Sequence, residues 1–420
     1  MQNSLQSSAK RFVRNAEMNR KTVKHGIISV MFTYWSLVIL WQTLRPVDNR
    51  SITDSLVKIT LFGFVLLHAF INRDITHSKI ITAVFAVFVL TQCITMFTDQ
   101  VTTGSLITVA FMFVEIVVFL IMQRDEEITE ESLEWFGKML IMVGIVMGLY
   151  SILFKTGRFV RAFTNPNAYN SECKSFLYSN HEYALYLSVS IIFAAWMQFR
   201  KRGNAVLSVL ILCFLAVNLV STFSRTAIIG CVGGLIILSF AMGSRTTGYL
   251  ILAFAAAVCA IWVSDTLRTF FFQKILKNSI ADSGSLIDKG RAALYRGEWS
   301  YYINGTFMEK LFGHGYNGNQ TGGHNAYLMI LNTGGAVMFL FFAVTILWSI
   351  SKALICYRIH RETGSLCFAL QILILLNMAA QTPILFYSTM DSYFITMLFV
   401  MIPLYLSNQL LRSARWEKVS

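Results

Sequence analysis

Charged residues are scarce in this chain: 14% of its 420 residues, against 55% hydrophobic, where a soluble domain carries about a quarter charged. So much apolar surface cannot be hidden in a water-soluble core, which excludes an ordinary soluble fold. Proline is nearly absent, at 4 residues, and no long low-complexity tract breaks the chain. Seven cysteines are present, none in a C-x-x-C pair. Cys93, Cys213, Cys231, Cys259 and Cys367 sit inside apolar runs, so neither a disulfide framework nor a thiolate metal site is indicated. No D-x-D, no H-x-x-x-H and no His/Cys cluster occurs. No cleavable signal peptide is visible either: MQNSLQSSAKRFVRNAEMNRKTVKH is basic and polar, and the apolar run after it is long enough to span a membrane rather than be cut.

What the chain has instead is long apolar runs. A membrane span takes about 20 mostly apolar residues, and twelve stretches qualify, near 24–44, 54–72, 79–98, 103–122, 136–154, 182–199, 204–222, 226–243, 247–264, 326–350, 364–385 and 389–407. The expected fold is an all-α polytopic membrane protein of about 12 transmembrane helices, with a large loop between spans 9 and 10. Three regions follow: 1–264 with spans 1–9 and a shorter loop at 155–181, the loop 265–325, and 326–420 with spans 10–12 and a tail.

The formal charge of +13 is read first as topology and second as attraction to anionic lipid or a phosphorylated substrate, with no nucleic acid implied. An even number of spans puts both termini on one side. That side holds the basic N-terminus, Arg73, Lys79, the FRKR run at 199–202, Arg245, KALICYRIHR and the LLRSARWEK tail. Short basic loops stay cytoplasmic, so both termini are expected there. One loop on that side, QRDEEITEESLEW (123–135), is acidic, and nothing in the sequence assigns it a role.

Loops 155–181 and 265–325 then fall outside, although both are basic. Translocated positive charge runs against the usual bias, which points to a phosphate-bearing substrate or to lipid headgroups. Within the second loop, WSYYINGTFMEKLFG reads as a helix ended by Gly313. Arg225 stands in STFSRTAIIG, a turn of a few residues between two apolar runs. It is either a snorkelling interfacial arginine or a cation held against the bundle by that short turn. Arg161 in GRFVRAFTNPN, and Arg291 and Arg296 in DKGRAALYRGEW, add outer cations. His324 and Asn325 stand where the glycine-rich GHGYNGNQTGGHN stretch becomes an apolar helix. Such a histidine either marks the helix start or takes a proton near neutral pH. Guanidinium forks match phosphate oxygens and stay charged at any relevant pH.

The S-R-T turn, the Gly290, Arg291 and Trp299 stretch, and LFGHGYN…GGHNAYLMILNTGGAVMFLFF resemble the motifs of the O-antigen ligase and O-antigen polymerase superfamily. RAFTNPN is similar to the family's outer Pro-Asn segment. The likeness carries motifs over about 155–350 and elsewhere only topology. It implies inverting, metal-independent glycosyl transfer, without cofactor, at the outer face of a bacterial inner membrane. The donor would be a polyprenyl-pyrophosphate-linked glycan and the acceptor a second glycan, with a chain-length regulator and a flippase as partners in the bilayer. By resemblance His324 is the base on the acceptor hydroxyl, and Arg225 and Arg291 hold the pyrophosphate. Arg161, Asn167, Arg296, Tyr316 and Asn325 are substrate contacts. Polymerisation of repeat units into a surface polysaccharide is the favoured reading. A ligase that moves glycan to another acceptor, or a flippase-like transporter with Lys58 and Glu115 within spans, are the alternatives.

Overall fold

Runs of apolar residues with no water to satisfy their peptide groups must bond internally, and a helix does this within one segment. The computed structural model shows helices throughout and no strand among the described residues. Those residues are 79–98, 101–122, 130–164, 172–175, 177, 179–200, 204–243, 289–315, 325–379 and 394–416, with Gly63, Arg268, Gln381 and Leu385 singly. The expected spans at 24–44, 54–72 and 247–264 therefore lie outside the described residues, Gly63 apart.

The helices are α1 Lys79–Phe97, α2 Thr103–Met122, α3 Glu130–Phe154, α4 Thr156–Thr164, α5 Asn180–Phe199, α6 Ala205–Ser221, α7 Arg225–Met242, α8 Lys289–Asn304, α9 Phe307–Phe312, α10 Ala326–Ile359, α11 Arg361–Met378 and α12 Ile402–Trp416, the last entered through one π-turn, Met397–Met401. Five described helices are long and apolar enough to cross a membrane: α3, α5, α7, α10 and the stretch Phe394–Leu411. Shorter apolar stretches lie at Ala83–Phe97, Ser105–Val114 and Ala205–Ser221.

Helix α11 lies inside the bundle. Its Thr363, Ser365, Gln371 and Asn377 are buried along with Leu366, Leu370 and Leu373, and Gln371 Nε2 donates to Ser349 Oγ at 2.8 Å. Helix α7 approaches it through small residues four apart. A Cβ on Gly230 would stand 3.0 Å from the Leu373 carbonyl, and one on Gly234 2.8 Å from that of Ala369. This is the close backbone approach that small residues give membrane helices.

One end of the bundle is closed by charge. Arg200, just past α5, reaches Glu130 Oε2 (2.9 Å), Glu134 Oε1 (2.9 Å) and Glu362 Oε2 (2.7 Å), with its side chain only 4% exposed. Its guanidinium also lies 4.8 Å from the centre of the Trp196 ring. Glu130 Oε1 in turn accepts from Thr363 Oγ1 (2.7 Å) and stands 2.8 Å from His360 Nδ1. Two carboxylates of the acidic 123–135 segment thus join α3 to α5 and α11. Helix α3 starts at Glu130, six residues before the expected span at 136, because those acids are part of its first turns.

The largest departure from the sequence reading concerns span 10. Instead of one straight helix over 326–350, α10 has two limbs, 326–334 and 336–359, broken at Gly335 (φ 68°, ψ −168°). Tyr327 and Phe342 are 15 residues apart, about 22 Å along a straight helix, yet their ring centroids are 5.9 Å apart. The chain therefore folds back at Gly335. The reversal frees backbone carbonyls, which the segment after α9 satisfies: His314 N–H donates to Asn332 O (2.7 Å) and Gly315 N–H to Thr333 O (3.2 Å). Glycine is required on both sides of this contact. A Cβ on Gly335 would lie 2.5 Å from Gly313 N, and one on Gly313 2.0 Å from Thr333 O.

The single helix expected in WSYYINGTFMEKLFG is also two, α8 and α9, divided at Gly305. Thr306 and Glu309 form a reciprocal capping box that starts α9, and Gly313 (φ 83°) ends it. The T-x-x-E signature was there to be read.

Candidate functional site

At the end opposite Arg200, α6 and α7 are joined by Thr222, Phe223 and Ser224 alone. Phe223 is left-handed (φ 56°), a conformation that costs a bulky residue about 1–2 kcal/mol and persists where surrounding contacts impose it. Two consecutive residues at the start of α5 impose it here. Asn180 Nδ2 donates to Thr222 O (2.9 Å), and His181 Nδ1 meets Ser224 Oγ (3.1 Å). Ser224 is the N-cap residue of α7 but makes no side-chain cap bond to its own helix. Its hydroxyl goes to the histidine instead. Arg225, half-buried, is the first residue of α7 after this clamped turn.

The same histidine nitrogen stands 3.0 Å from Gln381 Nε2, just beyond the end of α11. Two residues back in the chain, Ala379 O accepts from Asn325 Nδ2 (3.0 Å). Asn325 Oδ1 caps α10, accepting from the N–H groups of Tyr327 (3.0 Å) and Leu328 (3.2 Å). Tyr327 O–H donates to Leu375 O (3.1 Å). A polar seam therefore runs from the arginine turn through His181 and Gln381 to Asn325, tying α5, α7, α10 and α11 at one end of the bundle. Both the oxygen and the nitrogen of the Asn325 amide make bonds within the fold, so this residue fixes the start of α10 against the chain leaving α11.

The other expected residues distribute as follows. Arg161 is exposed in the last turn of α4, which follows α3 at this same end. Arg296 is exposed on α8, and Arg291 lies in the first turn of that helix. Helix α8 sits against the fold-back of α10, where Asn332 Nδ2 donates to Glu298 O (3.1 Å). His324, Tyr316 and Asn167 lie outside the described residues, as does Lys58.

The contact between α8, α9 and the α10 fold-back buries polar groups of its own. Glu298 is 4% exposed, its Oε2 has no hydrogen-bond partner among the described residues, and burial pushes its carboxyl above the usual carboxylate range. The His314 ring lies 4.0 Å from that of Tyr301, and its Nδ1 is 3.5 Å from Glu309 Oε1. Among the described residues no group of three His, Cys, Asp or Glu is arranged to hold a metal ion.

His181 and Gln381 escaped the sequence reading. A signal existed for the histidine: Asn180-His181-Glu182-Tyr183 opens an apolar helix in nearly the same letters as His324-Asn325-Ala326-Tyr327. Gln381 had none, since a glutamine between an alanine and a threonine near a span end looks like any interfacial polar residue. No protein-family model matches the chain, and no curated protein matches it.

Proposed function

We propose that this chain is a membrane glycosyltransferase that polymerises polyprenyl-pyrophosphate-linked oligosaccharide repeat units into a surface polysaccharide at the outer face of a bacterial inner membrane. The observation that carries this reading is the polar seam that ties the turn before Arg225 to Asn325, the neighbour of His324. Two segments that resemble the family's arginine and H-N motifs, some 100 residues apart in sequence, meet at one end of an apolar bundle.

In this reading an acceptor hydroxyl attacks the anomeric carbon of the donor from the face opposite the pyrophosphate. The new oxygen–carbon bond forms as the carbon–oxygen bond to the pyrophosphate breaks, which inverts the centre. The hydroxyl proton passes to the His324 imidazole. The electron pair leaves with the lipid pyrophosphate, whose growing charge Arg225 and Arg291 stabilise as fixed cations. Arg161 and Arg296 supply positive charge around the glycan approach.

The test is turnover by purified, lipid-reconstituted protein given lipid-linked repeat units, with products sized on a gel. A ladder supports the polymerase. A single shift onto a different acceptor makes the chain a ligase, and no change in either overturns the enzyme reading.

A further inference from the structure

We propose that His181 is a positioning residue for the pyrophosphate site, acting through its Nδ1 on the turn that carries Arg225; this rests on the reading of Arg225 given above. Three observations meet at this one side chain. First, the turn it touches is strained: Phe223 is held at φ 56°, and left alone such a turn would relax and move the first residue of α7. Second, the bond is made by a hydroxyl diverted from its ordinary duty. An N-cap serine usually accepts from the second or third N–H of its helix, and Ser224 does not. Third, Gln381 Nε2 lies 3.0 Å from the same Nδ1. With the glutamine amide in this orientation Nδ1 is the unprotonated nitrogen, and the ring proton sits on Nε2.

His181 thus touches both the arginine turn and the chain that leaves α11. That chain is in turn fastened to Asn325 through Ala379. Shifting the ring shifts the spacing between the arginine and the H-N segment. Asn180 holds the other side of the strained residue through Thr222 O, so the turn stays closed when His181 is changed, and only its fine placement is lost.

The chemistry of the side chain allows a sharp test. Asparagine carries polar atoms at the δ position, where His181 has Nδ1, whereas glutamine carries them one bond further, near Nε2. Purified full-length protein, monodisperse in detergent, is titrated with inorganic pyrophosphate and with farnesyl pyrophosphate, for wild type, His181→Asn, His181→Gln, His181→Ala and Arg225→Ala. Each lost hydrogen bond is worth roughly three- to tenfold in affinity. His181→Asn is expected to stay within about threefold of wild type, and His181→Gln and His181→Ala to weaken by about three- to a hundredfold for the loss of one or both bonds.

If His181→Gln binds as wild type and His181→Asn does not, the ligand is touched by Nε2 directly, and the positioning role is overturned. Unchanged binding in all three histidine variants overturns it as well. Loss of monodispersity in both the Asn and Gln variants makes His181 a determinant of the fold and likewise overturns it. Failure of the underlying reading looks different: wild type then binds neither pyrophosphate, or Arg225→Ala binds both as well as wild type, and the proposed site falls together with this inference.

Discussion

Single residues in this protein are informative where they do something other than their usual job. Ser224 stands at an N-cap without capping, Phe223 is left-handed without being glycine, and Asn325 caps its own helix with its amide oxygen while its amide nitrogen reaches the chain after α11. Glu298 is another case. It is a glutamate in a predicted outer segment, where a solvated side chain is the ordinary outcome, yet it is buried against the α10 fold-back with one oxygen unpartnered among the described residues. Burial raises its folded-state pKa, so the folded protein holds this proton to higher pH than the unfolded chain does. In acid both states are protonated and the raised pKa costs the fold nothing. As pH rises from the ordinary glutamate value through the raised one, stability is lost. Glu298→Gln removes that loss. The variant should be more stable than wild type at pH 8, by on the order of 1 kcal/mol, with a higher melting temperature there and an equal one at pH 4. A thermal melt at the two pH values checks this. A variant that melts below wild type at both would mean the carboxylate has an undetected partner. Little of this was legible beforehand, because burial of a polar residue depends on what docks over it, and sequence periodicity within α8 says nothing of α10.

At the scale of elements, the decisive feature is the reversal at Gly335. Hydropathy located the run of 182–199 to within two residues of α5, and the start of 326–350 at the start of α10, since lipid-grade composition is local. It missed the fold-back because both limbs are apolar. The pair Gly334-Gly335 inside an apolar run looks like two tolerated membrane glycines. What distinguishes them is the partner: the carbonyls freed by the break are taken by N–H groups from a segment more than a dozen residues upstream. Asn325 therefore opens a short limb folded back beside the end of α11. Gly335→Ala should undo this arrangement. The backbone there belongs to glycine, at a cost of about 1–3 kcal/mol for another residue, and the new Cβ would lie 2.5 Å from Gly313 N and from the Leu311 carbonyl carbon. Hydrogen exchange should then accelerate at the His314 and Gly315 amides while those of α5, α7 and α11 keep their protection. Unchanged protection at His314 would show that the contact survives without glycine.

Over the whole molecule, the two ends of the bundle divide the work. One end is held by neutral hydrogen bonds that join residues of four helices in a seam, which suits a place where a charged ligand is to supply the counterions. The other is held by ionic contacts, with one arginine set among three carboxylates. The acidic run that had no reading in the sequence supplies two of those carboxylates. Its meaning was invisible because Arg200 is 66 residues away from Glu134 and looked like one more topology charge. Arg200→Ala leaves those acids facing each other across α3 and α11. Removing one partner from a buried pair costs about 3–5 kcal/mol, and the partial exposure of Glu130 and Glu362 puts the expected loss near the low end, seen as a lower melting temperature. This division fixes a consequence for orientation. If Arg225, Asn325 and the α8–α9 cap face outward, as the positive-inside reading of the sequence expects, then Ser300, exposed on α8, is outside and Arg358, exposed near the far end of α10, is inside. In a background freed of the seven native cysteines, Ser300→Cys should react with an impermeant thiol reagent on intact cells. Arg358→Cys should react only after lysis. The reverse pattern would turn the molecule over and place the arginine end in the cytoplasm, where lipid-linked repeat units awaiting polymerisation at the outer face are not found, and the proposed function would fall with it.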